Sequence, residues 1–380
     1  MIKGYKIRLY PTKEQEILLN KHIDCCRFIW NFMINRQQLL HKENKKHMSS
    51  NDMCKLTTSI KKDDKYKWLN DVANCSLQSV CRDLGSTYSL FFNKKCSYPK
   101  FKSKKKSKRT FPLRSDKTYF RNEKYITIPK IKELKYKTDF TFKYGLNGTK
   151  LLNPRISNIN NKWFISFSVE YDNQVSIDNK NGSLGIDLGV KELAITYHNG
   201  EIKKFHNINK SYKMKMLENK LKHYQRVAAR KYRNSDKKVS TSNNLLKVYD
   251  KINKTYQKMN NIRTNYIHQV TNEIILCNAN RVVMEDLALS NMIKNKHLSK
   301  ALKDQRLYDF IKKMKYKCEW NNIEFIQVGR FYPSSKTCSK CGNIHNGLKL
   351  KDRTFICPTC GFSIDRDINA AINLSVYNLK

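Results

Sequence analysis

The 380-residue chain carries 75 lysines and arginines against 32 acids, a formal net charge of +43, with 39% hydrophobic and 11% aromatic residues. That apolar content supplies a buried core and excludes a disordered basic tail. The charge is that of a polyanion binder, because nucleic acid offsets such self-repulsion by releasing condensed counterions, and a merely solvated lysine-rich surface explains only part of the excess.

No uninterrupted apolar run reaches the ~18 residues a membrane span needs, and the start MIKGYKIRLYPTKEQE lacks a cationic-then-apolar signal. A cytoplasmic, nucleoid-associated protein without a membrane partner is expected. Four of the twelve cysteines are clustered and eight are scattered, which fits a reducing compartment with one metal site better than a disulfide framework.

Residues 3 to 10 alternate, Tyr5, Ile7 and Leu9 on one face and Lys6, Arg8 and Tyr10 on the other, until Pro11 stops the run. This predicts a half-buried strand. From Thr12 the period changes: Thr12 with Gln15 forms a capping-box pattern, and Ile17, Leu18, Ile23, Phe28, Ile29, Phe32 and Met33 mark apolar helix faces. Helical patterning continues to about Phe92.

The stretch KKCSYPKFKSKKKSKRTF, 94 to 111, interleaves cations with Tyr98, Phe101 and Phe111, a composition suited to base stacking beside phosphate contacts. Strands are predicted at 125 to 129 and at 163 to 169, where Trp163, Ile165, Phe167 and Val169 share a face. Residues 1 to about 180 thus read as a β domain interrupted by a helical insertion.

The second half begins with LGIDLGVKELAITY, a strand pair around a tight turn, followed by two polar helical stretches from about 209 to 276 joined near Asn234 to Asn244. RVVMEDL at 281 to 287 reads as a strand, 300 to 319 as a helix and IEFIQV as a strand, giving an α/β order.

Cys338-x2-Cys341 and Cys357-x2-Cys360 are each spaced for a knuckle that presents two thiolates to one tetrahedral Zn²⁺. Gly342 and Gly361 follow the pairs and supply the backbone freedom such turns use. Four sulfur ligands leave no open position for water, so the predicted zinc is structural and catalysis must lie elsewhere.

Three acids stand where apolar elements meet turns: Asp187 in GIDLG, Glu285 in VVMEDL and Asp367 in DRDINAAINL. An RNase H-like sheet brings such residues together from its first strand, a later neighbour and a final helix. Their hard oxygens suit Mg²⁺ or Mn²⁺ and two-ion phosphodiester hydrolysis. Singly each motif is weak, since GIDLG occurs in sugar-kinase-like ATPases and an Asp opening a helix is often only an N-cap. Their order, with a ribbon just before the last acid, is specific.

KIRLYPTKEQE, CCRFIWN, YPKFKSKK, GIDLGVKELAIT, VVMEDL, RFYPSSKTCSKCG and ICPTCGFSIDRDINAAINL together resemble TnpB, the insertion-sequence-encoded OrfB family related to type V CRISPR effectors. The resemblance implies an RNA-guided DNA endonuclease with a RuvC-like nuclease domain. It implies Asp187, Glu285 and Asp367 as catalytic, magnesium-binding acids, with Asp286 and Asp365 as near misses. Asp367 is preferred because it directly precedes INAA; Ile364 departs from the histidine the family often has. Arg330 could touch a scissile phosphate or form a structural salt bridge.

The implied organisation is a wedge-like β-barrel domain at 1–11 and 112–180 and a helical recognition insertion at 12–111. A RuvC-like domain follows at 181–335 and 363–380, with a zinc ribbon of Cys338, Cys341, Cys357 and Cys360 at 336–362. The implied partners are a guide RNA from the transposon end and double-stranded target DNA, with one chain per RNA. An RNA-guided repressor and a strand-joining transposase are the alternative readings.

Overall fold

The computed structural model describes residues 1–105, 107–138, 150–171, 181–233, 242–349 and 352–377, and it opens with β1 (Ile2–Tyr10), whose Ile7 and Leu9 are buried while Lys6 and Tyr10 stay exposed. Pro11 has no N–H to continue the ladder. Thr12 then caps α1 (Lys13–Lys42): its hydroxyl accepts from Gln15 N at 3.3 Å and Gln15 Oε1 accepts from Thr12 N at 3.1 Å. Leu19, Ile23, Cys26, Trp30 and Met33 form the buried stripe of α1, whereas Ile17 is exposed on its other side. α2 (Ser50–Ile60), which also starts at a capping box, and α3 (Asn74–Phe92) complete the helical layer.

Six strands follow: β2 (Arg109–Pro112), β3 (Tyr119–Phe120), β4 (Tyr125–Ile128), β5 (Lys132–Lys137), β6 (Leu152–Ile159) and β7 (Lys162–Glu170). With β1 they make an antiparallel sheet of order β2-β6-β7-β1-β5-β4-β3. β4 and β7 fall where the alternation predicts them, and Trp163, Ile165, Phe167 and Val169 are all buried. β2, β3, β5 and β6 carry weaker patterns: β5 turns only Leu134 and Tyr136 fully inward, and β6 contains Pro154 and a register shift between Leu152 and Arg155.

The basic stretch from 94 to 111 is largely exposed, as its composition predicts, but not all of its aromatics are. Phe111 is a core residue of β2, its ring stacked 5.0 Å from His22, so it offers no face to a base. Tyr98 leans edge-on against Phe91 and meets the Tyr88 hydroxyl at 3.3 Å. Asn31 pins the loop from α1, accepting from Lys102 N at 2.7 Å and donating to Lys102 O at 2.8 Å. Tyr98 nevertheless keeps one side exposed, and Phe101 is exposed too.

These elements form one compact unit, Met1–Asn173, and the rest of the chain forms a second, Gln174–Lys380. The second begins with β8 (Ser183–Leu188), β9 (Glu192–His198) and β10 (Glu201–His206), then α4 (Tyr212–Arg233) and α5 (Asn243–Ile275). The expected domain edge at 180 and most of the expected joint between the two helices, 234–241, lie outside the described residues. β11 (Arg281–Glu285) and the short α6 (Leu289–Met292) follow. The helix predicted at 300 to 319 is two, α7 (Lys296–Gln305) and α8 (Leu307–Trp320), divided where Arg306 takes a left-handed conformation at φ 56°. β12 (Glu324–Val328), the hairpin β13 (Thr354–Ile356) and β14 (Ser363–Asp365), and α9 (Arg366–Ser375) end the unit.

The sheet runs β10-β9-β8-β11-β12, with β8, β9 and β10 antiparallel and β11 and β12 parallel to β8. Leu184, Ile186, Val282 and Met284 pack on one face against Ile267, Val270 and Ile274 of α5 and Phe310 and Met314 of α8. Val283, Ile326 and Val328 meet Leu374 of α9 on the other. Covered on both faces, β11 reads as a continuous apolar run rather than an alternation. The unit is α/β.

Candidate active site and metal centre

Gly185 fixes how close α9 lies to the sheet. A Cβ there would stand 2.0 Å from the Ala371 carbonyl oxygen and 2.5 Å from Ser375 N, so only glycine admits the helix backbone at this distance. Strand alternation puts Asp187 on the same face as Gly185. Asp367 precedes Ala371 by one turn of α9. In the parallel β8–β11 register Val283 lies beside Gly185 and Met284 beside Ile186, so the next pair is Asp187 and Glu285, at the carboxyl ends of both strands.

Burial, then the charge of Asp367, then that of Glu285, holds the Asp187 carboxyl well above the usual carboxylate range, while Arg366 acts in the opposite sense. The three acids predicted from sequence are therefore electrostatic neighbours, drawn from two strands and a helix. Their oxygens do not crowd onto a single point: among the described residues only the four cysteines bring their ligand atoms all within 4.8 Å of one another. Glu285 Oε1 accepts from the Ser334 hydroxyl. Asp367 lies 3.4 Å from Arg366 and 3.9 Å from Arg353.

The two near misses have other partners. Asp365 is the N-cap of α9, its Oδ1 accepting from Asp367 N at 2.9 Å and Ile368 N at 3.3 Å, and its Oδ2 lies 3.6 Å from Lys204. Asp286 pairs with Arg330 at 3.4 Å on the surface, which makes the salt bridge the contact Arg330 forms here.

The cysteines form two knuckles. Gly342 N donates to Cys338 O at 2.9 Å and Gly361 N to Cys357 O at 3.1 Å, with both glycines at positive φ, 76° and 68°. Sulfur atoms of Cys338 and Cys360 lie 3.8 Å apart, and those of Cys341 and Cys357 3.6 Å. A tetrahedral ion with bonds of about 2.3 Å to sulfur needs pairs about 3.8 Å apart, so the four residues fit zinc. The Cys360 amide donates to Cys357 Sγ at 3.5 Å, a contact that favours the thiolate a metal requires. Phe355, Leu348, Phe362 and Ile364 pack around Cys338 and Cys357. Ile364 thus serves the ribbon's small core.

Three family descriptions match the chain: a helix-turn-helix domain of the OrfB family at 1–46, the OrfB "Probable transposase" at 166–296, and the "Cas12f1-like, TNB domain" at 308–374. The chain belongs to the TnpB (OrfB) family. Among TnpB relatives, one from Streptomyces pristinaespiralis, named "Putative RNA-guided DNA endonuclease", is 27% identical over 99% of this chain and 89% of its own length. Another from Escherichia coli K12, named "Putative RNA-guided DNA endonuclease InsQ", is 27% identical over 98% and 91%. A solved Cas12f1–sgRNA–target DNA complex aligns over 99% of both chains with a TM-score of 0.39 and 16% identity. In this TnpB protein, residues 1–46 hold a strand and one long helix rather than a helix-turn-helix.

Sequence reading did not single out Gly185, Ser334, Asn369 or Asn373. The available signal was two asparagines one turn apart on an otherwise apolar helix face, INAAINL.

Proposed function

We propose that this chain is an RNA-guided DNA endonuclease of a transposable element, with Asp187, Glu285 and Asp367 as its catalytic, magnesium-binding acids. The observation that carries this reading is the meeting of three sequence-distant carboxylates at the carboxyl edge of one α/β sheet, where burial first, and then the charges of Asp367 and Glu285, raise the pKa of Asp187. Carboxylate oxygens are the donors Mg²⁺ or Mn²⁺ prefers, and a divalent cation would offset the repulsion among those charges. One Mg²⁺ at about 2.1 Å from each oxygen accepts opposed ligands only about 4.2 Å apart. Two ions about 3.5–4 Å apart accept the wider spread found here.

Bound there, such ions would activate the attacking water and stabilise the leaving 3′ oxygen of a phosphodiester. The protein's own part is to hold the three carboxylates on rigid elements: two adjacent parallel strands and a helix fixed on Gly185. Cys338, Cys341, Cys357 and Cys360 take a structural zinc and, with no open position, no step of the reaction.

Residues 181–335 and 363–380 are read as the RuvC-like nuclease and 336–362 as its inserted zinc ribbon. Residues 1–11 and 112–180 are read as the wedge-like β-barrel domain, and 12–111 as the helical recognition insertion. The +43 charge suits a guide RNA from the transposon end and double-stranded target DNA, one chain per RNA in the bacterial cytoplasm. Base pairing would read the target beside a short motif read by protein.

The test is plasmid cleavage by the protein purified with its co-expressed RNA, in Mg²⁺, against Asp187→Ala. Loss of several kcal/mol of metal-borne stabilisation corresponds to a fall of roughly 10³-fold or more. Guided binding without cleavage by the wild type would point to a repressor, and joined strands to a transposase.

A further inference from the structure

Ser334 is buried, and besides donating to Glu285 Oε1 it accepts at its backbone oxygen from Asn373 Nδ2 at 2.7 Å. The same amide donates to Thr337 O at 2.6 Å, and Asn369 Nδ2 donates to that oxygen at 2.7 Å. Asn369 Oδ1 accepts from Ser339 N at 3.1 Å, and the Tyr332 hydroxyl donates to Asn373 O at 3.3 Å. Two buried amides on a helix are costly unless satisfied. Here they are satisfied by one segment, 332–339, which runs straight into the first knuckle at Cys338.

Asn369 and Asn373 sit one turn apart on α9, the helix that also carries Asp367. The segment they grip touches Glu285 through Ser334. A carboxylate with one oxygen held by a hydroxyl presents the other in a fixed direction, and partners of this kind commonly govern metal affinity.

We propose that Ser334 is a positioning residue for Glu285, and that Asn369 and Asn373 lock the root of the four-cysteine ribbon to α9, so that ribbon, Glu285 and Asp367 keep one geometry. The inference rests on the carboxylate reading above. It makes the ribbon part of the mounting of the active site, and it explains two asparagines where helix packing alone calls for apolar residues.

The test is Mn²⁺ binding, read from the free-ion paramagnetic resonance signal, on the full-length zinc-loaded chain. Asp187→Ala marks which binding belongs to the carboxylates. Ser334→Ala is expected to weaken that binding about 10-fold with zinc content and melting temperature retained, and Ser334→Thr, which keeps the hydroxyl, to restore it. Asn373→Leu is expected to retain zinc and weaken Mn²⁺ in the same direction. Ser334→Ala binding Mn²⁺ within about twofold of wild type would overturn the positioning role while leaving the carboxylate site standing. Wild-type binding that Asp187→Ala leaves unchanged would instead overturn the carboxylate reading, and this inference with it.

Discussion

The thiolate knuckles and the carboxylate site belong to the same unit and are assembled in opposite ways. Cys338 and Cys341 meet across one tight turn beside the Thr337–Ile344 bridge, Cys357 and Cys360 across another at the head of the β13–β14 hairpin, and the sulfurs of the two turns come within 3.6 and 3.8 Å. Asp187, Glu285 and Asp367 meet only because β8 and β11 pair in parallel and α9 returns across them at Gly185. The first site is a local fold closed around soft ligands. The second is a product of long-range topology that buries a carboxyl and gathers like charges around it, and both effects raise the pKa of Asp187, burial the more.

The comparison predicts different failures. Cys338→Ser with Cys341→Ser should release about one zinc equivalent and unfold the ribbon, because structural zinc binding is itself folding free energy. Metal analysis together with limited proteolysis within 336–362 reads this, and unchanged zinc would show that the cluster is not the metal site.

Gly185→Ala should act on the carboxylate site alone. Its Cβ meets backbone atoms rather than a flexible side chain, so a cost of about 1–3 kcal/mol or more is expected, with α9 pushed off the sheet. Thermal melting measures the loss, and zinc content should not change. A melting temperature within about a degree of wild type would break the account of how α9 is seated.

Asp365 and Asp367 separate stability from cleavage. Asp365→Ala removes an N-cap and should cost about 1 kcal/mol, and Asp365→Asn, which still caps, much less. Asp367→Ala should abolish cleavage with little change in melting. Equal cleavage by Asp365→Ala and Asp367→Ala would mean that the wrong acid has been chosen.

The smallest effect is on pH. Unfolded, Asp187 ionises near about 3.9, whereas folded it keeps its proton to a higher pH. Between those values the native state holds the extra proton, so metal-free stability falls as pH rises. Mg²⁺ favours the ionised carboxylate and should flatten that slope; melting curves with and without Mg²⁺ check the sign.

How much could be read beforehand follows from how local each feature is. The capping box at Thr12, the alternation of β1 and β7, and the knuckles are short-range patterns, and the structure keeps them. The sequence around Phe111 reads as open because its neighbours are cations, while its burial is set by β2 joining the sheet over His22. Arg306 breaks a helical pattern with a backbone conformation that its residue type does not announce.

By itself the sequence marked the four cysteines as a metal-binding set, because their spacing closes the geometry, and it marked the three acids as candidates by their places at the ends of apolar runs. Only the tertiary structure showed that Asp365 caps α9 and that the charge of Asp367 acts more strongly on Asp187 than that of Asp365. It alone seated that helix on Gly185 and set Ser334 against Glu285. Those outcomes depend on which strands pair and in what register, which is a property of the whole sheet and of no single segment.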